Sequence, residues 1–467
     1  MRSGRSLTTV LATGLAAVAL VAAACSDGTS SAGGSAGTTA APATSTGAAS
    51  RRAYGVGTVQ RTFVDASRPT AANNGVAGKA DRTLVTTVYY PAGSAPSASV
   101  PPATTADATP ASSGGPFPLV VFSHGLGANE AVYAPLLASW AAAGYVVAAP
   151  HFPLTYAGTP GGVNGGDVQN QPGDLRFVID QVLAEAAVPG SPLRGLVRAD
   201  AIGLAGHSNG AITTLGAVAH TCCREPRAKA AVVLAGITSP FVNGRYDLAD
   251  TPPLLFVHGV DDALVAYNQA VADVNAVRAP KGMLTLDKGD HGNWLVPAND
   301  AFGVVVAATL DFLDGYLRDD GAARGRLPGD GRSGVATMRW SPDAAGSVPV
   351  PTLPQAATNR KVEVTPTTGL RDGQKVTVTW SGFLPGKTVN IVQCAGDGTR
   401  GSGACDITTG RILQPDPTGA GTLDLTVRVG AVGDGVCDPA NPCTIVVNDA
   451  GLQDADATLR FPVTFAA

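Results

Sequence analysis

The sequence predicts two folded domains, an α/β domain with a mostly parallel sheet and an all-β sandwich that follows it. Between positions 117 and 318, apolar strand-like runs alternate with helix-like segments, a pattern typical of a parallel sheet covered by helices on both faces. After about Lys361 the apolar period changes to two and no helical pattern follows, which indicates a β-sandwich. A chain of 467 residues has room for both domains.

Continuous apolar runs predict the buried strands of the first domain, because a strand covered on both faces needs no polar alternation. These runs are PLVVFS (118–123), YVVAAP (145–150), AIGLAG (201–206), AAVVLAG (230–236), PLLFVHG (253–259) and MLTLDKG (283–289). The segments between and after them predict helices at about 131–143, 173–187, 209–220 and 300–317. Two further strand-like runs, GTVQRTFV and RTLVTTVYY, precede them.

In the second domain, alternation of apolar and polar residues marks the strands. In GTLDLTVRV, the residues Leu423, Leu425, Val427 and Val429 fall on one face of a strand, with polar residues on the other. Pro462, in LRFPVTF, has no amide hydrogen, which places the last strand at a sheet edge or a bulge.

The N-terminus has the pattern of an export signal. Arg2 and Arg5 precede an uncharged apolar run from Leu7 to Ala24. The small residues before Cys25 resemble a bacterial lipobox, and this resemblance implies cleavage there and a membrane anchor through a lipid on Cys25. Plain secretion or an uncleaved anchor is the alternative, and in each case the chain is expected to leave the cytoplasm.

Composition suggests the domain boundaries. The predicted segments are a signal peptide (1–25), a disordered Ser/Thr/Ala/Gly tether (26–53), the α/β domain (54–318) with a disordered insert (91–116), a linker (319–356) and the sandwich (357–467). The formal net charge is −4 and only 15% of residues are charged, so electrostatics offers no case for nucleic-acid binding.

The stretch LAGHSNGAI (204–212) carries a G-x-S-x-G pattern centred on Ser208. The pattern needs context, because the chain contains 58 glycines and the same pattern recurs around Ser35 in the tether. Only Ser208 follows a predicted strand and opens a predicted helix, where a strained turn would expose its hydroxyl. The amide of Asn209, at that helix N-terminus, would face developing negative charge. Ser208 is therefore the candidate nucleophile.

A serine nucleophile needs a base, and the base needs an acid that orients it. Among six histidines, only His291 lies in a loop after the last strand predicted for the first domain. The loop after the run PLLFVHG offers two acids, Asp261 and Asp262, which the residues alone do not separate. The chain order Ser, Asp, His is that of α/β-hydrolases.

The motifs SHGLGAN, GHSNG, HGVDD and DHGNW together resemble the dienelactone-hydrolase and platelet-activating-factor-acetylhydrolase branch of the α/β-hydrolase superfamily, over about 54–318. The resemblance implies an α/β-hydrolase fold and ester hydrolysis through an acyl-enzyme. The site residues that it implies are Ser208 as nucleophile, His291 as base, Asp262 as acid, and an oxyanion hole made by the backbone amides of Leu126 and Asn209. Asp261 stays as the alternative acid that the residues leave open.

The second domain carries V-T-P-x-x-G-L-x-D-G-x-x-V-x-V and a later G-x-x-x-x-x-x-Q-C, and it resembles the neocarzinostatin family of immunoglobulin-like sandwiches. The resemblance implies two disulfides, Cys394–Cys405 and Cys437–Cys443. That family binds an enediyne chromophore that attacks DNA, and we do not extend this role to the chain. From Lys361 onward, eight basic and eleven acidic residues argue against contact with DNA, and an accessory module is the favoured interpretation.

The sequence therefore predicts a secreted or membrane-tethered serine hydrolase that cleaves lipid, polyester or small carboxylic esters. The alternatives are a catalytically inactive, hydrolase-like binding protein whose sandwich holds an apolar small molecule, and a structural or adhesion lipoprotein. No cofactor is predicted, and no metal site, because the histidines are scattered and no paired C-x-x-C spacing occurs.

Two features keep two interpretations each. The adjacent Cys222 and Cys223 are read equally well as a vicinal disulfide and as two buried thiols. Tyr156, Phe241 and Trp294 are read equally well as pocket-lining and as packing residues.

Overall fold

The computed structural model describes residues 53–466. Within this range it leaves out residues 74, 98, 240, 242, 263, 266, 344–345, 348–356, 386–388, 400–403, 407–409, 414–417, 434 and 450–457. The predicted signal peptide, Cys25 and nearly all of the predicted tether thus lie outside the described residues. None of the helices that are described combines the length and the apolar character needed to cross a bilayer.

Strands from the first domain form one large sheet. They are β1 (Gly55–Asp65), β2 (Arg82–Ala92), β3 (Thr104–Ala106), β4 (Phe117–Ser123), β5 (Val146–Pro150), β6 (Val197–His207), β7 (Ala228–Leu234), β8 (Leu254–Gly259), β9 (Lys281–Leu286) and β10 (Ala336–Ser341). In the described chain they lie in the order β10-β9-β8-β7-β6-β4-β5-β2-β1-β3. The central strands, β5 to β9 with β4, pair in parallel, while β1, β2 and β10 join antiparallel neighbours.

Helices cover both faces of this sheet. They are α1 (Glu130–Ala142), α2 (Gln171–Glu185), α3 (Asn209–Ala219), α4 (Tyr267–Ala276), α5 (Asp300–Leu317) and α6 (Gly321–Arg326). One apolar core forms between the sheet and α1 and α5, and a second between the sheet and α2, α3 and α4. Because helices cover both faces, every residue of β4 and β8 is buried, which explains their unbroken apolar runs. The predicted α/β fold class is confirmed.

The predicted disordered insert at 91–116 differs from the structure. Its strand β3 pairs in parallel with β1, and the Tyr90 hydroxyl donates to the carbonyl of Ala108 at 2.7 Å. The amide of Ala111 donates to the carbonyl of Pro91 at 2.9 Å. The segment is held by backbone pairing along the outer edge of the sheet, and its low apolar content gave no sign of this.

The predicted linker at 319–356 also differs in its first half. The Asp320 carboxylate caps α6 by accepting from the amides of Ala322 and Ala323. Strand β10 then pairs antiparallel with β9 and ends the sheet on that side. Ala336 and Met338 are buried whereas their neighbours Thr337 and Arg339 are exposed, so β10 has strand periodicity over too few residues to stand out.

The second domain is a β-sandwich, as predicted. Its strands are β11 (Lys361–Thr365), β12 (Lys375–Ser381), β13 (Val389–Ala395), β14 (Arg411–Leu413), β15 (Gly421–Thr426), β16 (Gly430–Val432), β17 (Gly435–Cys437), β18 (Cys443–Asp449) and β19 (Leu459–Val463). Sheet β11-β12-β15 faces sheet β14-β13-β18-β19 across a shared apolar core, and β16 and β17 form a ribbon. Strand β19, which contains Pro462, lies at a sheet edge.

A buried ion-pair cluster ties the loop after β5 to the sheet. The Arg82 guanidinium, on β2, makes two hydrogen bonds to the Asp174 carboxylate at 2.8 and 2.6 Å and two to Asp167 at 3.0 and 2.9 Å. Its two bidentate pairs satisfy four donor positions, which is what a buried guanidinium requires. The cluster anchors the segment 151–174, in which the carbonyl of Thr155 accepts from the amide of Gly127 in the loop after β4.

Candidate active site

Ser208 occupies a tight turn between β6 and α3. Its backbone has φ 57° and ψ −121°, a strained conformation for a residue with a side chain. The flanking glycines are required by space, since a Cβ on Gly206 would lie 2.2 Å from the Gly210 carbonyl oxygen. A Cβ on Gly210 would lie 2.0 Å from the carbonyl oxygen of Ser123. The turn thus presents the Ser208 hydroxyl at the carboxyl end of the parallel strands.

The loops after β8 and β9 bring an imidazole and a carboxylate to this hydroxyl. His291 Nε2 lies 2.7 Å from Ser208 Oγ, and His291 Nδ1 lies 2.8 Å from Asp262 Oδ2. The carboxylate can only accept, so Nδ1 carries the proton and Nε2 presents a lone pair to the hydroxyl. This is the tautomer that a general base needs.

Asp262 is the acid that reaches His291. It is buried, and its Oδ1 accepts hydrogen bonds from the amides of Leu264 and Val265 at 2.9 and 2.8 Å. Burial by itself would raise the pKa of Asp262, but His291 and the nearby His258 Nε2, at 3.3 Å, hold it well below the ordinary value. Asp262 is therefore an anion throughout the neutral range. The neighbouring Asp261, left open by the sequence, is partly exposed.

The pKa of His291 is raised above its ordinary value. Burial alone would lower it, but the negative charge of Asp262 and the hydrogen bond to it outweigh that effect. A raised pKa makes the imidazole a stronger base toward a serine hydroxyl, and Asp262 stabilises the imidazolium once it forms.

The two amides predicted for the oxyanion hole belong to different elements. Asn209 begins α3, an eleven-residue helix, and Leu126 lies in the loop between β4 and α1. Within the described part of the chain, neither amide donates to a protein acceptor. The Leu126 loop is held by its neighbours, because the amide of Gly127 donates to the carbonyl of Thr155 at 2.8 Å. Both amides are thus available for a substrate oxygen.

The structure distinguishes the three aromatic residues that the sequence left as either pocket-lining or packing residues. Trp294 is fully buried and donates to the carbonyl of Asp290 at 3.0 Å, so it packs beneath the His291 loop. Phe241 is nearly buried and packs against His220 with ring centroids 5.4 Å apart. Tyr156 is partly exposed and stacks on His151, so of the three it alone is not buried.

All six described cysteines form disulfides. The pairs are Cys394–Cys405, Cys437–Cys443 and the vicinal Cys222–Cys223. His220 Nδ1 lies 3.0 Å from Cys222 Sγ, so an imidazole and two sulfurs cluster at the end of α3. The H-x-C-C spacing gave no metal signal in the sequence, and here both sulfurs are taken up by the bond between them.

Sequence reasoning also missed two polar residues near Ser208, His207 and Tyr133. His207 appeared only as the variable position of the G-x-S-x-G pattern, and Tyr133 only as part of a helix. The position of His207 directly before Ser208 was the one signal available in the sequence, because its partners come from α1 and the His291 loop, which only folding brings near.

Comparison with known proteins agrees with both resemblances. Residues 362–465 match the model of the neocarzinostatin family, and residues 95–153 match that of platelet-activating factor acetylhydrolase, isoform II. Actinoxanthin from Streptomyces globisporus is 34% identical over 106 residues, which are 21% of this chain and 73% of that protein. Macromomycin from Streptomyces macromomyceticus is 37% identical over 114 residues, which are 22% of this chain and 76% of that protein.

A solved structure, that of a ferulic acid esterase from Streptomyces cinnamoneus, is also similar. It is 25% identical with a TM-score of 0.41, and the match covers 60% of this chain and 93% of that one.

Fold and comparisons together define an α/β-hydrolase-type domain followed by a neocarzinostatin-like β-sandwich. Through residues 362–465 the chain belongs to the neocarzinostatin family. The acetylhydrolase match spans β4, the Leu126 loop, α1 and β5, and supports an ester hydrolase in the first domain.

Proposed function

We propose that this protein is a serine hydrolase that cleaves carboxylic esters through an acyl-enzyme. The observation that carries the proposal is the continuous hydrogen-bonded chain from Ser208 Oγ through the His291 ring to Asp262, with distances of 2.7 and 2.8 Å. Such a chain lets the hydroxyl lose its proton as it attacks, which a lone serine cannot do at neutral pH.

In the first half of the reaction, Ser208 Oγ attacks the ester carbonyl while His291 Nε2 takes the hydroxyl proton. The carbonyl oxygen becomes an oxyanion, which the amides of Leu126 and Asn209 stabilise; one such donor is worth about 10²–10³ in rate. Collapse of the intermediate breaks the bond to the alcohol oxygen, and His291 gives its proton to the departing alcohol.

In the second half, water replaces the alcohol. His291 takes a proton from the water as it attacks the acyl-enzyme, and then returns a proton to Ser208 Oγ as the acid leaves. Asp262 keeps its negative charge throughout. The chemistry needs side chains, backbone amides and water.

Labelling with a fluorophosphonate probe tests this proposal. We expect stoichiometric labelling of the wild-type protein, with the modified peptide mapping to Ser208 by mass spectrometry. The Ser35→Ala variant, which removes the second G-x-S-x-G serine, should label equally, because the sequence predicts neither a strand before that serine nor a helix after it. Absence of labelling together with absence of turnover across a panel of short- and long-chain esters would favour the inactive binding protein instead.

We also propose that the enzyme acts outside the cytoplasm, tethered through a lipid on Cys25. The three disulfides fit an oxidising compartment. In the native host, the wild type should partition into the detergent phase and Cys25→Ser into the aqueous phase, with equal specific activity. Equal partition of both proteins would contradict the lipid anchor and leave the catalytic proposal intact.

A further inference from the structure

One hydrogen-bonded chain crosses the floor of the candidate site beneath the nucleophile. Its central residue is His207, which directly precedes Ser208 and is buried. His207 Nε2 lies 2.6 Å from the carbonyl oxygen of His291, and His207 Nδ1 lies 3.0 Å from the Tyr133 hydroxyl. That hydroxyl in turn accepts from the amide of Gly125 at 2.9 Å.

The chemistry of the partners determines the direction of every hydrogen bond in this chain. The His291 carbonyl can only accept, so His207 Nε2 carries the proton and Nδ1 has a lone pair. Nδ1 must then accept from the Tyr133 hydroxyl, whose oxygen is left free to accept from Gly125. Each donor meets one acceptor, so only one arrangement of the protons satisfies all three hydrogen bonds.

The two ends of the chain are the two loops that catalysis must hold in place. One end is the backbone of His291, the base; the other is Gly125, the residue before the oxyanion donor Leu126. The middle is covalently joined to Ser208. We propose that His207 and Tyr133 are positioning residues that hold the His291 loop and the Leu126 loop at fixed distances from the nucleophile, an inference that rests on the proposed function.

Packing around the chain supports this role. The His207 ring lies 4.9 Å from the ring of His291 and 5.8 Å from that of Trp294, so it cannot rotate without disturbing the base loop. On the other side, a Cβ on Gly125 would lie 3.0 Å from the Tyr133 hydroxyl and 3.4 Å from Ser208 Cβ. The Leu126 loop therefore lies directly against the tyrosine and the nucleophile.

His207 and Tyr133 must also keep their protonation states while His291 gains and loses a proton. Burial, followed by the nearness of His291, lowers the pKa of His207 to about 3, although Asp262 opposes the shift. The charge of His258 lowers the pKa of His207 further. Burial raises the pKa of Tyr133. Both residues thus stay neutral over the working range, and their hydrogen bonds persist through the catalytic cycle.

Deleting the Tyr133 hydroxyl in the full-length protein tests the inference. In Tyr133→Phe we expect kcat to fall about 10- to 100-fold, because a displaced donor or base weakens transition-state contacts, with KM changed less than about threefold. The pH below which kcat/KM falls on the acid side of the pH–rate profile should not move, since Tyr133 positions groups and does not titrate. Tyr145→Phe is the matched control, because Tyr145 is equally buried and lies outside the candidate site. Its hydroxyl donates to the Asp314 carboxylate in a hydrogen bond of 2.6 Å.

A pair of His207 variants gives a second measurement if Tyr133→Phe folds poorly. His207→Gln retains a donor toward the His291 carbonyl, whereas His207→Leu removes it, so kcat should fall further in His207→Leu. If Tyr133→Phe keeps the kcat of Tyr145→Phe and both His207 variants are alike, the positioning role is wrong and the esterase proposal stands. A wild-type protein that neither labels nor turns over would overturn both.

Discussion

Ser208→Ala is expected to lower kcat for a short-chain nitrophenyl ester by about 10⁶-fold. Losing the nucleophile of a serine hydrolase removes nearly all catalysis beyond that of the oxyanion hole and binding. Alanine has the same backbone preferences as serine at the φ of 57°, so the turn should remain folded. Initial rates at saturating ester, with the wild type at the same concentration, measure the effect.

Ser139→Ala is the control for this change. Ser139 is also buried, and its hydroxyl donates to the carbonyl of Pro135 inside α1 at 2.8 Å. Removing it takes away the same hydroxyl group from a different place, and activity should stay within about twofold of wild type, as for an ordinary substitution away from the site. Retention of more than a tenth of the activity in Ser208→Ala would exclude Ser208 as the nucleophile.

Asp262→Asn is expected to lower kcat by about 10⁴-fold while leaving KM little changed. The asparagine oxygen can still accept from the amides of Leu264 and Val265, which turns its amino group toward His291. His291 Nδ1 must then accept a hydrogen bond, so the proton moves to Nε2 and the base no longer presents a lone pair to Ser208. Asp261→Asn is the matched control, and it should retain wild-type kcat; equal losses in the two variants would contradict the assignment of the acid.

The pH profile gives Asp262 a second, independent test. The reaction needs neutral His291, so kcat/KM of the wild type should fall tenfold per pH unit below the His291 pKa, which lies above the ordinary value of 6.5. Removing the Asp262 charge removes the cause of the raised pKa. The acid limb of Asp262→Asn should therefore move to lower pH, and a limb that stays in place would show that another group titrates.

Much of the fold could be predicted from the sequence because a strand that is buried on both faces of a sheet has a continuous apolar run. The strands β4, β5 and β6 fall where PLVVFS, YVVAAP and AIGLAG predict them, and the fold class is confirmed. The insert at 91–116 was predicted to be disordered and the segment that contains β10 to be a linker, and the structure differs at both. The insert is held by backbone pairing along a sheet edge, and a backbone hydrogen bond depends little on residue type. Strand β10 buries Ala336 and Met338 in the apolar core, but its alternation spans too few residues to indicate a strand.

The sequence by itself determined the strand–helix alternation, the strained turn around Ser208 and the order of serine, acid and histidine along the chain. Each of these depends on local residue type and spacing. Only the tertiary structure decided which of Asp261 and Asp262 reaches the imidazole, and that Tyr133 and His207 join the base loop to the oxyanion loop. The contacts of His291 with Asp262, and of His207 with Tyr133 and His291, link residues separated by 29 to 84 positions, and their geometry depends on how neighbouring strand ends meet after the whole sheet has formed.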